Sequence, residues 1–497
     1  MNIKIEKIKT LGDLKKADYK SRSVKDEIRD NLIQKISDGE PIFEGVLGYE
    51  NSVFPEVERA LLSRHNINFL GLRGQAKTRM ARQITSLLDE YIPVVEGSSI
   101  QDDPFNPISR FAIEKIEKHG DDTPVTWVER QARFAEKLAT PDVTVADLIG
   151  DTDPIKAANL KLDYSDERVI HFGLVPRANR GIFVINELPD LQPRIQVALF
   201  NILQEGDIQI RGFKLRLPLD ILFVFTANPE DYTNRGAIIT PLKDRIQSQI
   251  LTHYPKNTSI SAAITEQEAN ILPEQRNAVA IPNLVSKLIE QIAVVARTSE
   301  FVDQKSGVSA RLTISAYENL VSTVERRVLL NGEKSGRARI GDLIGILPAI
   351  TGKVELVYEG EQEGAKNVAI NLMGKAIRTL FVQYFPDPEL RKRKKSEDDP
   401  YQKIVSWFGR NEIELLADLN EPDYQEHLDA IPGLKSLASK YNPNAKEAEL
   451  YLLMEFILHG LAEYSALSKN ILEDGLSFSD LFTSVFSADD FNEDLDQ

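Results

Sequence analysis

The sequence contains no cysteine, and this absence excludes disulfide bonds, thiol catalysis, iron–sulfur clusters and zinc sites built on thiolates. It also lacks an apolar run approaching the roughly 18 residues that a membrane-spanning helix needs, and its charged N-terminus lacks the apolar core of a secretion signal. Lys and Arg number 60 against 76 Asp and Glu, which gives a net charge of −16. Because nucleic acids and anionic membranes are polyanions, this deficit of positive charge disfavours both as partners. We expect a soluble, cytoplasmic protein.

Short apolar segments alternate with helical patterns from residue 41 onward, which predicts an α/β domain with a mostly parallel sheet. The predicted strands cover residues 67–70, 92–95, 182–185 and 221–225. The last two are continuously apolar, as strands buried on both faces are. Residues 101–146 interrupt the alternation with four prolines and with predicted helices near 109–118 and 127–138, and we interpret them as an insertion.

Beyond residue 255 the strand pattern fades and helical stripes follow at 284–298, 310–330, 340–350 and 366–385. The predicted organisation is an N-terminal helical arm over 1–40, an α/β core over 41–255, a helical domain over 256–385, a charged linker over 386–399 and a helical region over 400–497. The last 25 residues, 473–497, hold eight acidic residues and no Lys or Arg. Phe478, Phe482 and Phe486 are spaced for one helical stripe in this acidic tail, which is either disordered or a docking segment for a partner.

The segment Gly71-Leu72-Arg73-Gly74-Gln75-Ala76-Lys77-Thr78 follows a predicted strand and opens a predicted helix, the context in which G-x-x-x-x-G-K-[ST] binds phosphate. Lys77 would reach the β- and γ-phosphates of a nucleoside triphosphate, and the Thr78 hydroxyl would ligate Mg²⁺. Ala76 replaces the usual glycine, at a cost of about 1 kcal/mol if the loop needs positive φ there. The alternative is a strand–helix turn in which Lys-Thr occurs by chance. The candidate nucleotide-binding residues are Gly71, Arg73, Gly74, Gln75, Ala76, Lys77, Thr78 and Arg79.

A second polar site follows a buried strand over residues 181–185, which leads into Asn186-Glu187. In phosphate-loop ATPases such a strand ends in Asp-Glu, where the Asp holds Mg²⁺ through water and the Glu polarises the attacking water. Asn186 can hydrogen-bond a metal-bound water but brings no charge, so we expect weaker Mg²⁺ binding or slower turnover. The candidate metal ligands are Thr78 and Asn186, and Glu187 is a candidate catalytic residue. The alternative is a strand-end turn, which Asn186 and Pro189 both favour.

Three further candidate catalytic residues follow in chain order. Asn228 comes at the end of a third buried strand and could hydrogen-bond the attacking water or the γ-phosphate. Arg245 ends the segment Pro241-Leu242-Lys243-Asp244-Arg245, and Arg311 opens a helix of the helical domain. A single Arg is commonly a surface residue and Asn-Pro commonly a turn. The order of loop, strand Glu, strand Asn and two arginines is nevertheless not expected by chance.

With these residues the chain resembles a AAA+ ATPase of the group that contains the magnesium-chelatase I subunit and the MoxR-type ATPases. Further segments carry the resemblance, namely 43–48 (FEGVLG), 147–154 (DLIGDTDP) and 173–181 (GLVPRANRG). The resemblance implies an α/β AAA+ P-loop core with a parallel sheet, an α-helical lid domain over 256–385 and a helical C-terminal extension. It also implies an insert in helix 2 at about 154–173, with a hairpin strand at 169–172, and a second hairpin over 206–219.

The resemblance also assigns a role to each candidate residue, with ATP and Mg²⁺ as the implied cofactors. The implied roles are the Walker A loop for residues 71–78, the Walker B pair for Asn186 and Glu187, sensor 1 for Asn228, the arginine finger for Arg245 and sensor 2 for Arg311. Such a finger acts on the nucleotide of the neighbouring subunit, so hydrolysis would depend on ring geometry.

The function implied is that of a ring-forming, Mg²⁺-dependent ATPase, a homo-hexamer by family expectation, that couples ATP hydrolysis to remodelling or activation of a partner protein. The family's usual partner carries a von Willebrand A domain, and because this chain has no D-x-S-x-S motif, such a domain would lie on another chain. A second hypothesis is a nucleotide-gated scaffold that hydrolyses ATP weakly or not at all because of Asn186. A third, a DNA-directed AAA+ machine, is disfavoured by the net charge of −16 and by the lack of a GAFTGA-like loop.

Overall fold

The computed structural model describes residues 7–162, 166–210, 216–229, 237–389 and 399–481. The chain divides into two compact units, Met1–Tyr254 and Pro255–Gln497. The segments predicted as the arm and the α/β core therefore fall in the first unit, apart from residue 255. Those predicted as the helical domain, the linker and the C-terminal region fall in the second unit. Within the described ranges, no helix is both long and apolar enough to cross a bilayer.

The first unit alternates strands with helices along the chain. Its strands are β1 (Ile67–Leu70), β2 (Tyr91–Val95), β3 (Val125–Glu129), β4 (Phe134–Leu138), β5 (Gly150–Thr152), β6 (Ile170–Phe172), β7 (Gly181–Asn186), β8 (Asp207–Gln209), β9 (Arg216–Pro218), β10 (Ile221–Ala227) and β11 (Ser248–Leu251). Its helices are α1 (Leu11–Lys16), α2 (Val24–Asp38), α3 (Val53–Leu62), α4 (Lys77–Gln83), α5 (Arg110–His119), α6 (Val145–Leu148), α7 (Pro154–Leu160), α8 (Leu174–Arg177), α9 (Pro193–Ala198), α10 (Phe200–Glu205) and α11 (Thr240–Arg245).

Five of the described strands form one parallel sheet in the order β11-β1-β10-β7-β4. Every residue of β7 and β10 is buried. Along β7 the side chains alternate between two apolar clusters, since Ile182 and Val184 belong to one and Phe183 and Ile185 to the other. The predicted parallel α/β core, with strands covered on both faces, is confirmed. Because the strands are parallel, the carboxyl ends of β1, β7 and β10 meet at one edge of the sheet.

Two parts of the predicted alternation differ from the structure. Strand β2, predicted as residues 92–95, pairs antiparallel with β3 outside the central sheet. The helix predicted near 127–138 is wrong, because this segment contains part of β3 and all of β4, the edge strand of the parallel sheet. Long-range pairing with β2 and β7 outweighs the helical propensity of the Glu, Arg and Ala residues there. The predicted insertion over 101–146 therefore supplies one strand of the core.

The first unit also contains short antiparallel strand pairs outside the central sheet. Strand β6 pairs with β5, which confirms a hairpin strand within the predicted segment 169–172. Strand β8 pairs with β9 inside the predicted hairpin over 206–219, of which residues 211–215 lie outside the described residues.

Helix α2 of the predicted N-terminal arm packs into the core of the first unit. The hydroxyl of Ser23 accepts a hydrogen bond from the backbone N–H of Asp26 and caps the start of the helix. Gly39, at φ 70°, ends it in the left-handed conformation. Ile28 and Leu32 are buried in the apolar cluster that covers one face of the sheet. The arm is therefore part of the unit that carries the candidate site.

The second unit is mainly helical. Its helices are Thr258–Glu268, Pro273–Ala278, Asn283–Thr298, Ala310–Asn331, Leu347–Thr351, Tyr358–Glu363, Ala365–Tyr384, Gln402–Phe408, Glu421–Asp429, Leu434–Tyr441 and Glu447–Glu463, with a 3₁₀ segment at Gly341–Ile346. Its strands are β12 (Val279–Ala280), β13 (Gly336–Arg337), β14 (Ile413–Leu416), β15 (Ser468–Ile471) and β16 (Gly475–Ser479). The helical stripes predicted between residues 284 and 385 are confirmed.

The C-terminal region contains a small antiparallel sheet, in the order β14-β16-β15, that the helical prediction missed. Leu476 and Phe478 alternate with serines in β16, the period-two pattern of a strand. The predicted helical stripe of phenylalanines is therefore wrong at Phe478. Phe482 and Phe486 lie outside the described residues.

Candidate nucleotide site

The loop over residues 71–76 connects β1 to α4 beside the centre of the parallel sheet. Gly74 and Ala76 both have positive φ, 73° and 55°. Ala76 caps α4 in this left-handed conformation, so the expected cost of about 1 kcal/mol for a non-glycine residue applies here. A side chain at Gly71 would place its Cβ 2.0 Å from Oγ1 of Thr252 on the chain after β11. Only glycine allows this close approach.

Neighbouring residues hold the loop in place. Gln75 Oε1 accepts a hydrogen bond from Thr252 Oγ1 at 2.6 Å. The Tyr49 hydroxyl donates to the backbone oxygens of Gln75 at 3.1 Å and His253 at 2.8 Å, and burial raises the pKa of this phenol. Arg73 lies in the loop itself, half-buried. These contacts fix the loop before any ligand binds.

Lys77 is buried, at 7% exposure, and its ammonium group points back into the loop. Nζ donates to the backbone oxygens of Gly71 and of Leu72, the latter at 2.9 Å, and to Oδ1 of Asn228 at 2.6 Å. These three acceptors are uncharged. A phosphate oxygen in their place would make a stronger, charge-assisted hydrogen bond to the ammonium group. Asn228 reaches Lys77 because β10 pairs directly with β1.

Asn228 also contacts the candidate catalytic carboxylate. Its Nδ2 donates to Oε2 of Glu187 at 2.7 Å. Glu187 has φ 55° and ψ 49°, an uncommon conformation for this residue type, and its backbone N–H donates to Oγ1 of Thr226 at 3.2 Å. Backbone strain of this kind concentrates at functional sites. Lys77, Asn228 and Glu187 thus form one hydrogen-bonded series across three adjacent strands.

The candidate metal ligands Thr78 and Asn186 are brought together. Oδ1 of Asn186 accepts from the hydroxyl of Thr78 at 3.2 Å and from that of Thr226 at 3.1 Å. Its Nδ2 donates to Oε1 of Glu136 at 2.6 Å. Hydrogen bonds on both sides of the amide therefore fix the orientation of the Asn186 side chain.

Glu136 was missed by sequence reasoning, which predicted its segment as helical. It lies on β4, next to β7 in the sheet. Oε1 and Oε2 also accept from Nη2 and Nε of Arg82 at 3.0 and 2.7 Å. Sequence reasoning could have found Glu136 only by assigning residues 134–138 as a strand, because that assignment places the carboxylate beside Asn186 in the sheet.

The oxygen donors at this site fit a magnesium ion that arrives with phosphate. Mg²⁺ prefers oxygen ligands, keeps several waters and is commonly held by one or two side chains together with substrate phosphates. Thr78 and Asn186 present a hydroxyl and an amide oxygen, and Glu136 adds a carboxylate in contact with that amide. Among the described residues, no group of three or more His, Cys, Asp and Glu side chains could hold a metal alone. The nucleotide would have to complete the coordination.

Three candidate arginines are outside the hydrogen-bonded series described above. Arg245 ends α11, where Nε donates to Oε1 of Gln204 at 2.9 Å and Nη1 to the backbone oxygen of Pro241 at 2.7 Å. Its guanidinium lies 4.9 Å from the ring centroid of Phe200 on α10. Arg311 belongs to the second unit, in the first turn of helix Ala310–Asn331. Arg79, in α4, is half-buried. The roles of all three remain predictions.

The chain is similar to several known proteins. A profile of the family described as Sigma-54 interaction domain matches residues 163–250. The chain is 27% identical over 125 residues to the hydrogenase transcriptional regulatory protein HoxA of Cupriavidus necator, which covers 25% of this chain and 22% of that protein. It is 25% identical over 202 residues to the magnesium-chelatase 38 kDa subunit of Cereibacter sphaeroides, which covers 40% of this chain and 54% of that subunit. The chain thus spans about half the length of this chelatase relative and less than a quarter of the regulator.

A structure of the complex between subunits BchI and BchD of magnesium chelatase, based on cryo-EM, aligns at 18% identity with a TM-score of 0.33, over 64% of this chain and 98% of the other. At this score the overall superposition is loose, and the relation rests on the sequence matches and on the parallel sheet that carries the loop. These sequence matches support the resemblance to AAA+ proteins of the group that includes the magnesium-chelatase subunits.

Proposed function

We propose that this chain is a Mg²⁺-dependent ATPase that forms a homo-oligomeric ring, a hexamer, and couples ATP hydrolysis to remodelling or activation of a partner protein. The observation that carries the proposal is the series Lys77–Asn228–Glu187, which joins a phosphate-loop lysine to a carboxylate through one amide. An ammonium for phosphate and a carboxylate for water, held at a fixed separation, are what phosphoanhydride hydrolysis requires.

In the proposed reaction the loop and Lys77 bind the phosphates, and Asn228 orients a water molecule towards the γ-phosphorus. The water oxygen bonds to that phosphorus, the bond from the γ-phosphorus to the bridging oxygen breaks, and the water proton passes to Glu187. ADP leaves with the bridging oxygen, and inorganic phosphate carries the water oxygen. Bound Mg²⁺, held by Thr78 and Asn186, would neutralise charge on the phosphate oxygens.

Phosphate release by the purified full chain, with ATP and Mg²⁺, tests the proposal. Glu187→Gln should lower the rate by at least about 100-fold while nucleotide still binds, because the amide cannot accept the proton. Lys77→Ala should abolish binding of a fluorescent ATP analogue, because the phosphates lose their cation. The exposed Glu96 provides a control, and Glu96→Gln should behave as wild type. Equal background rates for wild type and Glu187→Gln would reject ATPase activity.

The alternative is a nucleotide-gated scaffold with little or no hydrolysis. Asn186 favours it, because an amide stands where a carboxylate usually helps to hold Mg²⁺. The same two measurements separate the proposals. Nucleotide binding that depends on Lys77, without phosphate release above the Glu187→Gln background, would support the scaffold.

The partner is proposed to be a protein rather than DNA. The solved BchI–BchD complex of magnesium chelatase pairs two different subunits, and the net charge of this chain is −16. We propose a partner that carries a von Willebrand A domain on a separate chain. Sedimentation with and without a non-hydrolysable ATP analogue would test ring formation, and co-purification from native cells would test the partner. DNA retention with a steep salt dependence would instead favour a DNA-directed machine.

A further inference from the structure

The contacts of Glu136 point to a role that rests on the proposed function. We propose that Glu136 supplies the negative charge that Asn186 lacks, and that it holds the water shell of the nucleotide's Mg²⁺ beside Thr78. Glu136 is in this sense a positioning residue of the metal site, contributed by the edge strand of the sheet.

The first argument is the position of the carboxylate. In the parallel pairing of β4 with β7, Glu136 stands opposite Val184, and Leu138 stands opposite Asn186. The Glu136 side chain therefore lies one strand over from the metal candidate and reaches it, with Oε1 2.6 Å from Nδ2 of Asn186. Thr78, Asn186 and Glu136 form one hydrogen-bonded series that runs from the phosphate loop to a carboxylate.

The second argument is the charge. An Asp at position 186 would place a negative charge next to the Thr78 hydroxyl, and Asn186 removes it. The Glu136 carboxylate contacts the Asn186 amide and so restores a negative charge close to position 186. This charge would attract a divalent cation bound there. Carboxylates that hydrogen-bond a metal ligand also orient that ligand, and the loss of such a group commonly lowers metal affinity about 10- to 100-fold.

The third argument is the ion pair that Glu136 makes. Arg82 holds the carboxylate through two hydrogen bonds, but its own side chain is 62% exposed, against 22% for Glu136. An exposed arginine can move into water at little cost, whereas Glu136 is held by the sheet. Arg82 is therefore a cation that competes with the metal for this carboxylate. A purely structural pair, by contrast, would serve only to fasten α4 to β4.

The experiment measures metal-linked nucleotide affinity in the full chain, without following hydrolysis. The affinity for a fluorescent, non-hydrolysable ATP analogue is determined in EDTA and across a Mg²⁺ titration. Glu136→Gln should bind the analogue in EDTA as tightly as the wild type does. The increase in affinity that Mg²⁺ produces should be about tenfold smaller in this variant than in the wild type. Arg82→Gln should match or exceed the wild-type gain, because the competing cation is removed. The double variant Glu136→Gln with Asn186→Asp should recover the gain, because the charge returns at the neighbouring position.

The outcomes separate this inference from the function beneath it. A wild-type chain that binds no nucleotide overturns the proposed function. A wild-type gain from Mg²⁺ that Glu136→Gln leaves unchanged overturns the role of Glu136 alone. An equal loss of thermal stability in Glu136→Gln and Arg82→Gln, with the Mg²⁺ gain intact in both, identifies the pair as structural and also overturns the inference.

Discussion

Arg133, which immediately precedes β4, and Glu27 of α2 form a buried ion pair. Nη1 and Nη2 of Arg133 each donate to one carboxylate oxygen of Glu27 at 2.7 Å, and the two side chains are 1% and 4% exposed. Nε of the same guanidinium donates to the backbone oxygen of Arg180 at 2.9 Å. The pair therefore connects the predicted N-terminal arm to the start of β4, the strand that carries Glu136.

Loss of one partner of this pair should cost much stability. Glu27→Ala leaves the Arg133 guanidinium buried without its carboxylate, and we expect a loss of about 3–5 kcal/mol in the free energy of unfolding. Asp30→Ala, in the same helix, removes the exposed pair with Arg22 and should cost less than about 1 kcal/mol. Urea denaturation of both variants checks this. Equal losses in the two would contradict the assignment of a buried pair.

The stability of the first unit should also depend on Asp220. Its carboxylate accepts from the backbone N–H of Val24 at the start of α2, at 2.7 Å, and burial raises its pKa to about 6. Because the folded pKa lies above the unfolded value of 3.8, the folded state binds the proton more tightly. The stabilisation is fully present below about pH 4 and is lost as the pH rises through 6.

Asp220→Asn removes this titration. Between about pH 4 and pH 7 the wild type should lose roughly 2 kcal/mol of unfolding free energy relative to the variant. Chemical denaturation of both proteins at several pH values measures the difference. Parallel stability curves across this range would show that Asp220 titrates at its ordinary value.

The backbone conformation of the loop over residues 71–76 predicts opposite effects of substitution at positions 74 and 76. Ala76→Gly relieves a left-handed conformation at φ 55° and should stabilise the protein by about 0.5–1 kcal/mol. Gly74→Ala introduces a side chain at φ 73° and should destabilise it by more than about 1 kcal/mol. Thermal unfolding of the two variants is the measurement. Changes of the same sign would be inconsistent with this loop conformation.

Arg245 is expected to act across a subunit boundary. Arg245→Ala should leave ATP binding near normal and reduce phosphate release by roughly 1,000-fold, as the loss of an arginine finger does. Mixing it with Lys77→Ala should restore part of the activity. At some subunit interfaces, the intact loop of an Arg245→Ala subunit would then face the intact Arg245 of a Lys77→Ala subunit. A mixture of Lys77→Ala with Arg311→Ala serves as the control and should stay inactive, because each of these substitutions disables the nucleotide site of the subunit that carries it. Full phosphate release by Arg245→Ala alone would contradict the assignment of Arg245 as an arginine finger.

The parallel core could be predicted because its signals are local. Continuous apolar runs before Asn186 and Asn228, and a glycine loop before Lys77, specify buried strands that end in polar residues. The rule that parallel strands end at one edge of a sheet then brings these residues together without knowledge of the fold. The loop pattern also predicts the conformational free-energy cost of Ala76, because it places a non-glycine residue where the loop has positive φ.

The segment near residues 127–138, predicted as a helix, could not be predicted in the same way. The Glu, Arg and Ala content of this segment favours helix, and pairing with β2 and β7 makes residues 127–129 and 134–138 strands. The antiparallel sheet around β16 was missed for this reason only in part: β14 is distant in the chain, whereas β15 ends at Ile471, shortly before β16 begins at Gly475, so the hairpin and the alternation of Leu476 and Phe478 with serines were local signals. Where backbone hydrogen bonds come from distant segments, local propensity does not decide the structure.

The sequence by itself determined the loop over residues 71–76, the Asn186-Glu187 strand end and the position of Asn228 after a buried strand, because each is a short pattern of adjacent residues. Only the tertiary structure decided that Glu136 contacts Asn186 and that Glu27 pairs with Arg133. Those partners are 50 and 106 residues apart in the chain. Sheet order and helix packing, rather than any local pattern, place them in contact.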